Sequence, residues 1–385
     1  MRCEELLGKE LTELLLKEFN EQNSDIVVLL ETIDGESGHD AVSPDILVFN
    51  EGDFSALVAE GLLAELINFY EFDGDESENS VFAVEQGNKK ESESASIDYA
   101  IPLVSFMDLL FYNIDILSDA GFDHPPKTRD EFLACARTLS RAKTDTATIY
   151  SIAMSLNIKD RQALARDIFS WIWANGGDFW VNADSPVLNT RNIISDINFL
   201  GTLNRDDLLA PEIFETSGDQ RIEEFANGKI AMMIASSRTI PYLREKMGDS
   251  AFGITTIPDS NTGGKYGINI SSIYAGINSR SEYADEAWRF LKFISEKSSL
   301  FCLHMHAVPG LVKNLIPGDY VKNDFFYSKA WDIFEASRII QGFAGKQSAQ
   351  KYKTAFLEEF RIFFNGNQTA AQTVNAIQKR WDEAE

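Results

Sequence analysis

Residues 43–66, SPDILVFNEGDFSALVAEGLLAEL, set an apolar run, ILVF, directly against a polar turn, Asn50-Glu51-Gly52-Asp53. Apolar residues then resume at helical spacing. Just upstream, LTELLLKEFNEQNSDIVVLLETID (11–34) predicts an amphipathic helix with Leu11, Leu14, Leu15, Leu16 and Phe19 on one side. The polar NEQNSD ends that helix, and IVVLL follows as a buried, β-branched strand. A chain that alternates helix, strand, polar turn and helix has few ways to bury its apolar faces. Stacking them as an α/β layer with parallel strands is the simplest. Ligands in such layers sit off the carboxyl ends of strands. Asn50, Glu51 and Asp53 occupy that kind of position. Asp53 is equally placed to cap the helix that follows.

The alternation continues downstream. IPLVSFMDLLFYN (101–113) reads as one long apolar strand, with its proline at the start and Ser105 interrupting it. A helix follows Pro125-Pro126, with Thr128 as N-cap and Glu131 three residues on. IYSIAMSL (149–156) is a short apolar segment, and residues 160–174 form a helix ended by Gly176-Gly177. IISDINFLGTLNR and DQRIEEFANG are helical, and KIAMMIA is a buried strand closed by SSRTIP. FGITTIPDSNTGGKYGINISSIYAGIN gives two strands around a glycine-rich turn. DEAWRFLKFISEKSSLFCLHMHA reads as one helix, followed by helical stretches at 325–340, 347–363 and 369–382. Residues 73–96, acidic and serine-rich, read as a solvated excursion.

With 385 residues the chain exceeds what one core usually supports, so two domains are expected. Its formal net charge of −25 repels nucleic-acid backbones and disfavours basic-patch membrane binding. Three cysteines, Cys3, Cys135 and Cys302, imply no disulfide framework. No apolar run is long enough to span a membrane, and MRCEELLG lacks the apolar stretch of an export signal. Cys3 reads as incidental rather than as a lipid anchor. Neither GxSxG, HExxH, a P-loop nor GxGxxG occurs. His304 and His306, two apart on an expected helix, face different ways, so no metal site and no cofactor are expected. Carboxylates are abundant, but no pair is singled out for glycoside hydrolysis.

What stands out is a set of polar strand ends: FNEGD (49–53), SFM (105–107), SSRT (236–239) and NISSIY (269–274). Several such ends from distant parts of a chain point to a binding cleft rather than a catalytic centre. The order of segments also resembles the extracellular solute-binding proteins of bacterial ABC importers, the sugar-binding group in particular. The carrying stretches run in sequence: LLKEFNEQNSDIVV, SPDILVFNEGDFSALVAEGLLAEL, YAIPLVSFMDLLFYNIDILSDAGFDHPPKTRDEFLACARTL, WANGGDF, EEFANGKIAMMIASSRTIPYL, FGITTIPDSNTGGKYG, YAGINSRSEYADEAWRFLKFIS and AVPGL. No single motif is specific, but the ordered series covers the chain from about residue 5 to its end.

The resemblance implies a two-lobed periplasmic-binding-protein-like α/β fold, each lobe a sheet flanked by helices, with the ligand cleft at the hinge. Lobe one would be 1–108 plus 255–312, lobe two 113–250 plus 313–385, and the hinge near 108–113 and 250–256. It implies a monomeric, non-enzymatic receptor that captures a carbohydrate or sugar-like polyol and delivers it to a membrane permease. Its place would be the periplasm or the cell surface, with lipid anchoring of a longer precursor left open. A carbohydrate-active enzyme using paired carboxylates, or a non-transport sensor or adhesin, are the alternatives.

Carried over by position, Asn50, Glu51 and Asp53 match a sugar-holding loop of lobe one, and Ser105 and Phe106 a ligand-side position before the hinge. Ser236 and Arg238 match a strand end where many relatives carry a tryptophan. An arginine there suits a carboxylate or phosphate, so a phosphorylated solute is an option, as is a plain surface role. Ser271 and Tyr274 match a cleft-lining stretch. Arg338 matches a region that often reaches the ligand, and a charge on a helix face is its other reading. Relatives also begin with a strand before the first helix. Residues 1–5 are too short for one, which leaves a trimmed, mis-assigned or lost first strand.

FSWIWANGGDFW (169–180) holds three of the six tryptophans. In a helix Trp171 and Trp173 point about 200° apart, so at most one faces a ligand, and core packing is the expectation for both. Arg166, nearer the start of that helix, is the better cleft candidate. For a stacking aromatic the candidates are Trp173, Tyr274, Phe106 and Trp331.

Overall fold

In chain order the first elements are α1 (Lys9–Gln22), β1 (Ile46–Asn50), α2 (Glu51–Ala59), β2 (Ile101–Asn113), α3 (Ile114–Asp119), α4 (Arg129–Arg141) and β3 (Tyr150–Ala153). A π-helical turn, Ala165–Phe169, runs into α5 (Ser170–Ala174). Then come α6 (Arg191–Arg205), α7 (Gly218–Ala226), β4 (Ile230–Ser236), α8 (Ile240–Met247), β5 (Phe252–Thr255) and β6 (Gly267–Ile277). The chain continues through α9 (Ala284–Glu296), α10 (Ser298–Met305), β7 (Val308–Pro309), α11 (Phe325–Ala336), β8 (Arg338–Ile340), α12 (Ala349–Phe364) and α13 (Ala370–Asp382). This is a computed structural model describing residues 8–30, 44–67, 69, 99–141, 149–160, 163–180, 185–260, 266–305, 307–309, 323–340, 342, 343, 346 and 348–384. The acidic excursion at 73–96 and His306 lie outside the described residues.

The chain divides into two units. Unit 1 comprises Met1–Phe106, Ser271–Tyr320 and Phe343–Ala349, and unit 2 comprises Met107–Ile270, Val321–Gly342 and Gln350–Glu385. Two of the crossings fall inside strands, between Phe106 and Met107 of β2 and between Ile270 and Ser271 of β6. Residues 255–270, expected with lobe one, cluster with unit 2. Tertiary contacts bind them there: Thr255 pairs with Leu110 of β2, the Arg129 N–H donates to the Asp259 carbonyl at 2.8 Å, and Gly267 to Asn269 pair in parallel with Arg338 to Ile340.

In unit 1, β1 runs antiparallel to β6 with Phe49 opposite Tyr274, and Ser105 of β2 lies antiparallel to Val308. These pairings depart from the parallel layer expected here, because β6 enters from distant sequence and runs back along β1. Of the apolar face read on α1, Leu15 and Phe19 enter the core, and Phe19 meets Phe290 edge-on at 5.0 Å. Leu14 is left exposed. The expected strand at 26–30 does not form, since a strand needs a ladder partner and no described strand pairs with it. Ile26 is buried there, while Val27 and Leu29 are 72% and 78% exposed. Helix α2 begins at Glu51, earlier than its apolar spacing suggested, so the polar turn is its first turn. Acidic Glu51 and Asp53 suit the unpaired N–H groups found there. The helix expected from 285 onward is two helices, α9 and α10, broken at Lys297.

In unit 2, β3 and β4 are parallel, with Tyr150 beside Ile230, and β2 is antiparallel to both β4 and β5. The capping box at α4 forms as expected: the Glu131 N–H donates to Thr128 Oγ1 and the Thr128 N–H donates to Glu131 Oε2. Gly176, at φ +80°, ends α5, with its N–H on the Trp173 carbonyl. The stretch read as helical to residue 340 stops at Ala336, and Arg338–Ile340 is the strand β8. Gly267, where β6 starts, sits against the helix end: a Cβ there would lie 2.5 Å from the Trp173 carbonyl oxygen. Backbone cannot yield as a side chain does. Gly267→Ala is therefore expected to destabilise unit 2 by about 1–3 kcal/mol, read as a lower denaturant midpoint.

Candidate functional site

The parallel pair β3–β4 delivers its carboxyl ends to one place in unit 2. Past β3 comes Ser155, and at the end of β4 come Ser236 and Arg238. Together with the π-helical turn and the start of α7 they border a recess of about 880 Å³. That volume suits a small-molecule ligand. Ser236 also shapes the rim, its Oγ accepting the Arg238 N–H at 3.3 Å and so capping a single 3₁₀ turn, Ser237–Thr239.

An ion cluster forms one wall. Arg166 Nη2 lies 3.0 Å from Asp167 Oδ2 and 3.1 Å from Asp160 Oδ2. Asp167 Oδ2 also accepts the Ser155 N–H at 3.1 Å. The π turn widens the helix by one residue, a distortion common at functional sites. Gly218 opens α7 against this cluster, where a Cβ would come within 3.0 Å of Asp160 Oδ2 and 3.1 Å of Arg166 Nη2. Burial pushes the Asp167 carboxyl up to about 6, and the Arg166 charge only partly offsets it. For Arg166 burial works against the charge, but Asp167, Asp160 and Asp108 outweigh it and hold the guanidinium protonated. Arg166 is thus a balanced cation. Arg238, at the rim, is exposed.

The other residues singled out in the sequence fall elsewhere. In unit 1, Asn50 is exposed at the end of β1, Glu51 is buried, and Asp53 is half-buried in the first turn of α2. Ser105 is fully buried and its hydroxyl pairs with that of Ser272 at 2.6 Å. Phe106 belongs to the main hydrophobic core of unit 1. Tyr274 packs between Phe49 and Phe54, with ring centroids at 5.9 and 4.7 Å. Ser271 is half-buried.

In unit 2, Trp173 is 1% exposed and packs against Phe169 and Phe179. Trp331 is buried against Phe334. All four aromatics proposed for stacking are therefore buried among other core side chains. Arg338 is not on a helix face. From β8 it pairs with Asp178 at 2.7 Å and donates to the Gly177 carbonyl at 3.1 Å, stapling the helix end that Gly176-Gly177 makes.

Sequence reasoning passed over Asp108 and Asp167, and took Asn269 only as the start of the polar stretch 269–274. Asp108 carried a readable signal, a lone carboxylate in a thirteen-residue apolar strand. Burial pushes it up to about 6, opposed by its hydrogen bond from Asn269 and by Arg166. Among the described residues no group of three or more His, Cys, Asp or Glu is placed to hold a metal ion. No described helix is long and apolar enough to cross a membrane.

Residues 5–299 match the model of the bacterial extracellular solute-binding protein family. The chain belongs to that family. A curated protein of Brucella abortus (strain 2308), carried under a binding-protein name, is 24% identical over 203 residues. That match covers 52% of this chain, and the chain spans about half the length, 47%, of that relative. Solved structures share the fold at low identity. A cyclic alpha-maltosyl-1,6-maltose binding protein from Arthrobacter globiformis matches with a TM-score of 0.76 at 16% identity, covering 97% of this chain and 95% of its own. The sugar-binding protein MalE from the phytopathogen Xanthomonas citri matches at 0.75 and 17%, covering 97% and 94%. UgpB from Mycobacterium tuberculosis, in complex with glycerophosphocholine, matches at 0.73 and 18%, covering 98% and 95%.

Proposed function

We propose that this chain is the solute-binding component of an ABC importer, taking a carbohydrate or sugar-like polyol and passing it to a membrane permease. On this reading it acts outside the cytoplasm and turns nothing over, in keeping with membership of an extracellular solute-binding family. The observation that carries the reading is the unit 2 recess, bordered by charged and hydroxyl side chains over an apolar floor and sited off the carboxyl ends of a parallel strand pair. Membership of the solute-binding family and likeness to sugar-binding structures support it.

The lining favours a neutral polyol over a phosphorylated one. Asp167, Glu212, Asp219, Glu223 and Glu224 counter Arg166, Arg221, Lys229 and Arg238, so no net positive surface awaits an anion. Arg221 is committed as well, to Glu224 at 2.7 Å and to the Met154 carbonyl at 3.1 Å. Ligand contacts would favour the closed arrangement of the lobes by population shift, the mode of action the resemblance implies.

Native mass spectrometry of freshly purified protein tests this reading, a retained polyol or saccharide being the expected result. Arg238→Ala is expected to weaken binding of that solute about tenfold or more, measured calorimetrically, which corresponds to ~1.4 kcal/mol. Unchanged affinity would remove Arg238 from the site. Sustained turnover of an oligosaccharide, lost on one Asp or Glu substitution, would overturn the receptor reading.

A further inference from the structure

Asp108 on β2 and Asn269 on β6 are 4% and 3% exposed. Each stands two residues from the point where its strand passes into unit 1. Asn269 Nδ2 donates to Asp108 Oδ2, and Ser170 Oγ reaches the same oxygen at 3.5 Å. The other half of the amide is unmatched, for Asn269 Oδ1 is buried and no protein donor meets it. Leaving a buried acceptor unmade is costly. A carboxylate has no hydrogen to offer, whereas a carboxylic acid has one. In its acid form Asp108 can donate from one oxygen to the amide carbonyl while its other oxygen accepts the amide N–H, closing a two-bond acid–amide ring.

We propose that Asp108 carries a proton in the folded protein through the mildly acidic range, and that the Asp108–Asn269 pair thereby sets the charge behind the unit 2 recess. The groups facing Asp108 support this. From the π turn Arg166 draws its proton away, but that guanidinium is already held by Asp167 and Asp160. Asp160 repels a third negative charge. Tyr266, next to β6, is kept as the phenol by its own burial. Opposite Asp108 on β4 stands the uncharged Ser236. Three carboxylates thus share one half-buried cation, and the surplus is relieved by a single proton.

Two candidates compete for that proton, since burial raises Asp167 as well as Asp108. Asp167 keeps its charge more readily, because it touches Arg166 directly and accepts the Ser155 N–H. Asp108 has the amide with an acceptor to fill. As pH rises through its folded value of about 6, Asp108 loses the proton and the cluster behind the recess gains one negative charge.

Carbon-13 NMR of aspartate-labelled protein tests the assignment. One carboxyl resonance is expected to titrate near the value of about 6. It should vanish in Asp108→Asn and persist in Asp167→Asn and Asp196→Asn. Melting curves give the second arm. A folded value above the unfolded one penalises the fold at high pH and relaxes as pH falls. Asp108→Asn is therefore expected to melt above the wild type at about pH 7.5, the gap closing toward about pH 4.5. Should Asp108→Asn fail to fold, the Asp167→Asn and Asp196→Asn titrations decide. The proposal is overturned if every aspartate titrates below about pH 5, if the high-titrating resonance survives in Asp108→Asn or is lost in either control, or if Asp108→Asn melts lower at all pH values.

Discussion

Arg129→Met is expected to cost unit 2 about 3–5 kcal/mol at neutral pH, the largest loss from any single polar substitution considered. Arg129 opens α4 yet is buried, with Nη1 on Asp196 Oδ1 at 2.6 Å and Nη2 on the Trp171 carbonyl at 2.6 Å. Its guanidinium lies 4.6 Å from the Phe199 ring centroid. Asp196 is fully buried, and its other support is Asn175 Nδ2 at 2.8 Å. Removing the arginine strands a carboxylate in apolar surroundings. Burial already raises Asp196, while Arg129 pulls the other way. The variant loses that pull, so its carboxyl rises further and its deficit shrinks as pH falls and the acid form takes over.

A double variant, Arg129→Met with Asp196→Leu, should recover most of the loss. The ion pair is incompletely satisfied, since Arg129 Nε and Asp196 Oδ2 have no protein partner, and well-packed apolar replacements often match such pairs. Chemical denaturation of the single and double variants measures both effects. A single variant within about 1 kcal/mol of the wild type would show that the pair contributes little.

Trp173→Ala is expected to cost about 3–5 kcal/mol through the cavity it leaves. Its indole meets Phe169 at 5.5 Å and Phe179 at 5.7 Å, and a Cβ on Gly342 would lie 3.0 Å from the ring. Little in that packing can collapse to fill the void. Trp173→Phe should keep the affinity for whatever solute the protein retains, because the indole faces the core. A Trp173→Phe variant of normal stability and much weaker binding would instead make this tryptophan a ligand contact.

The two variants mark the boundary of what the residues announced. Thr128 and Glu131 make their capping box because both partners lie within one turn. Gly176 ends α5 because the chain there needs a positive φ. The long strand 101–113 and the buried strand before SSRT were equally legible, since an apolar run and its polar end are adjacent in sequence. Arg129 read only as the first residue after a cap. Its burial depends on Asp196, sixty-seven positions away. Likewise the charge on Arg166 was visible, but not the aspartates that balance it.

By itself the sequence determined elements such as the capped start of α4 and the strand 101–113, the α/β class and the ordered series that marks the family, because periodicity, capping and turn chemistry act over a few neighbouring residues. The tertiary structure alone decided that Trp173, Tyr274, Phe106 and Trp331 face cores and that Arg338 staples a helix end. It alone surrounded one half-buried cation with three carboxylates. Burial and charge balance are properties of the space around a side chain, and distant stretches of chain fill that space only on folding.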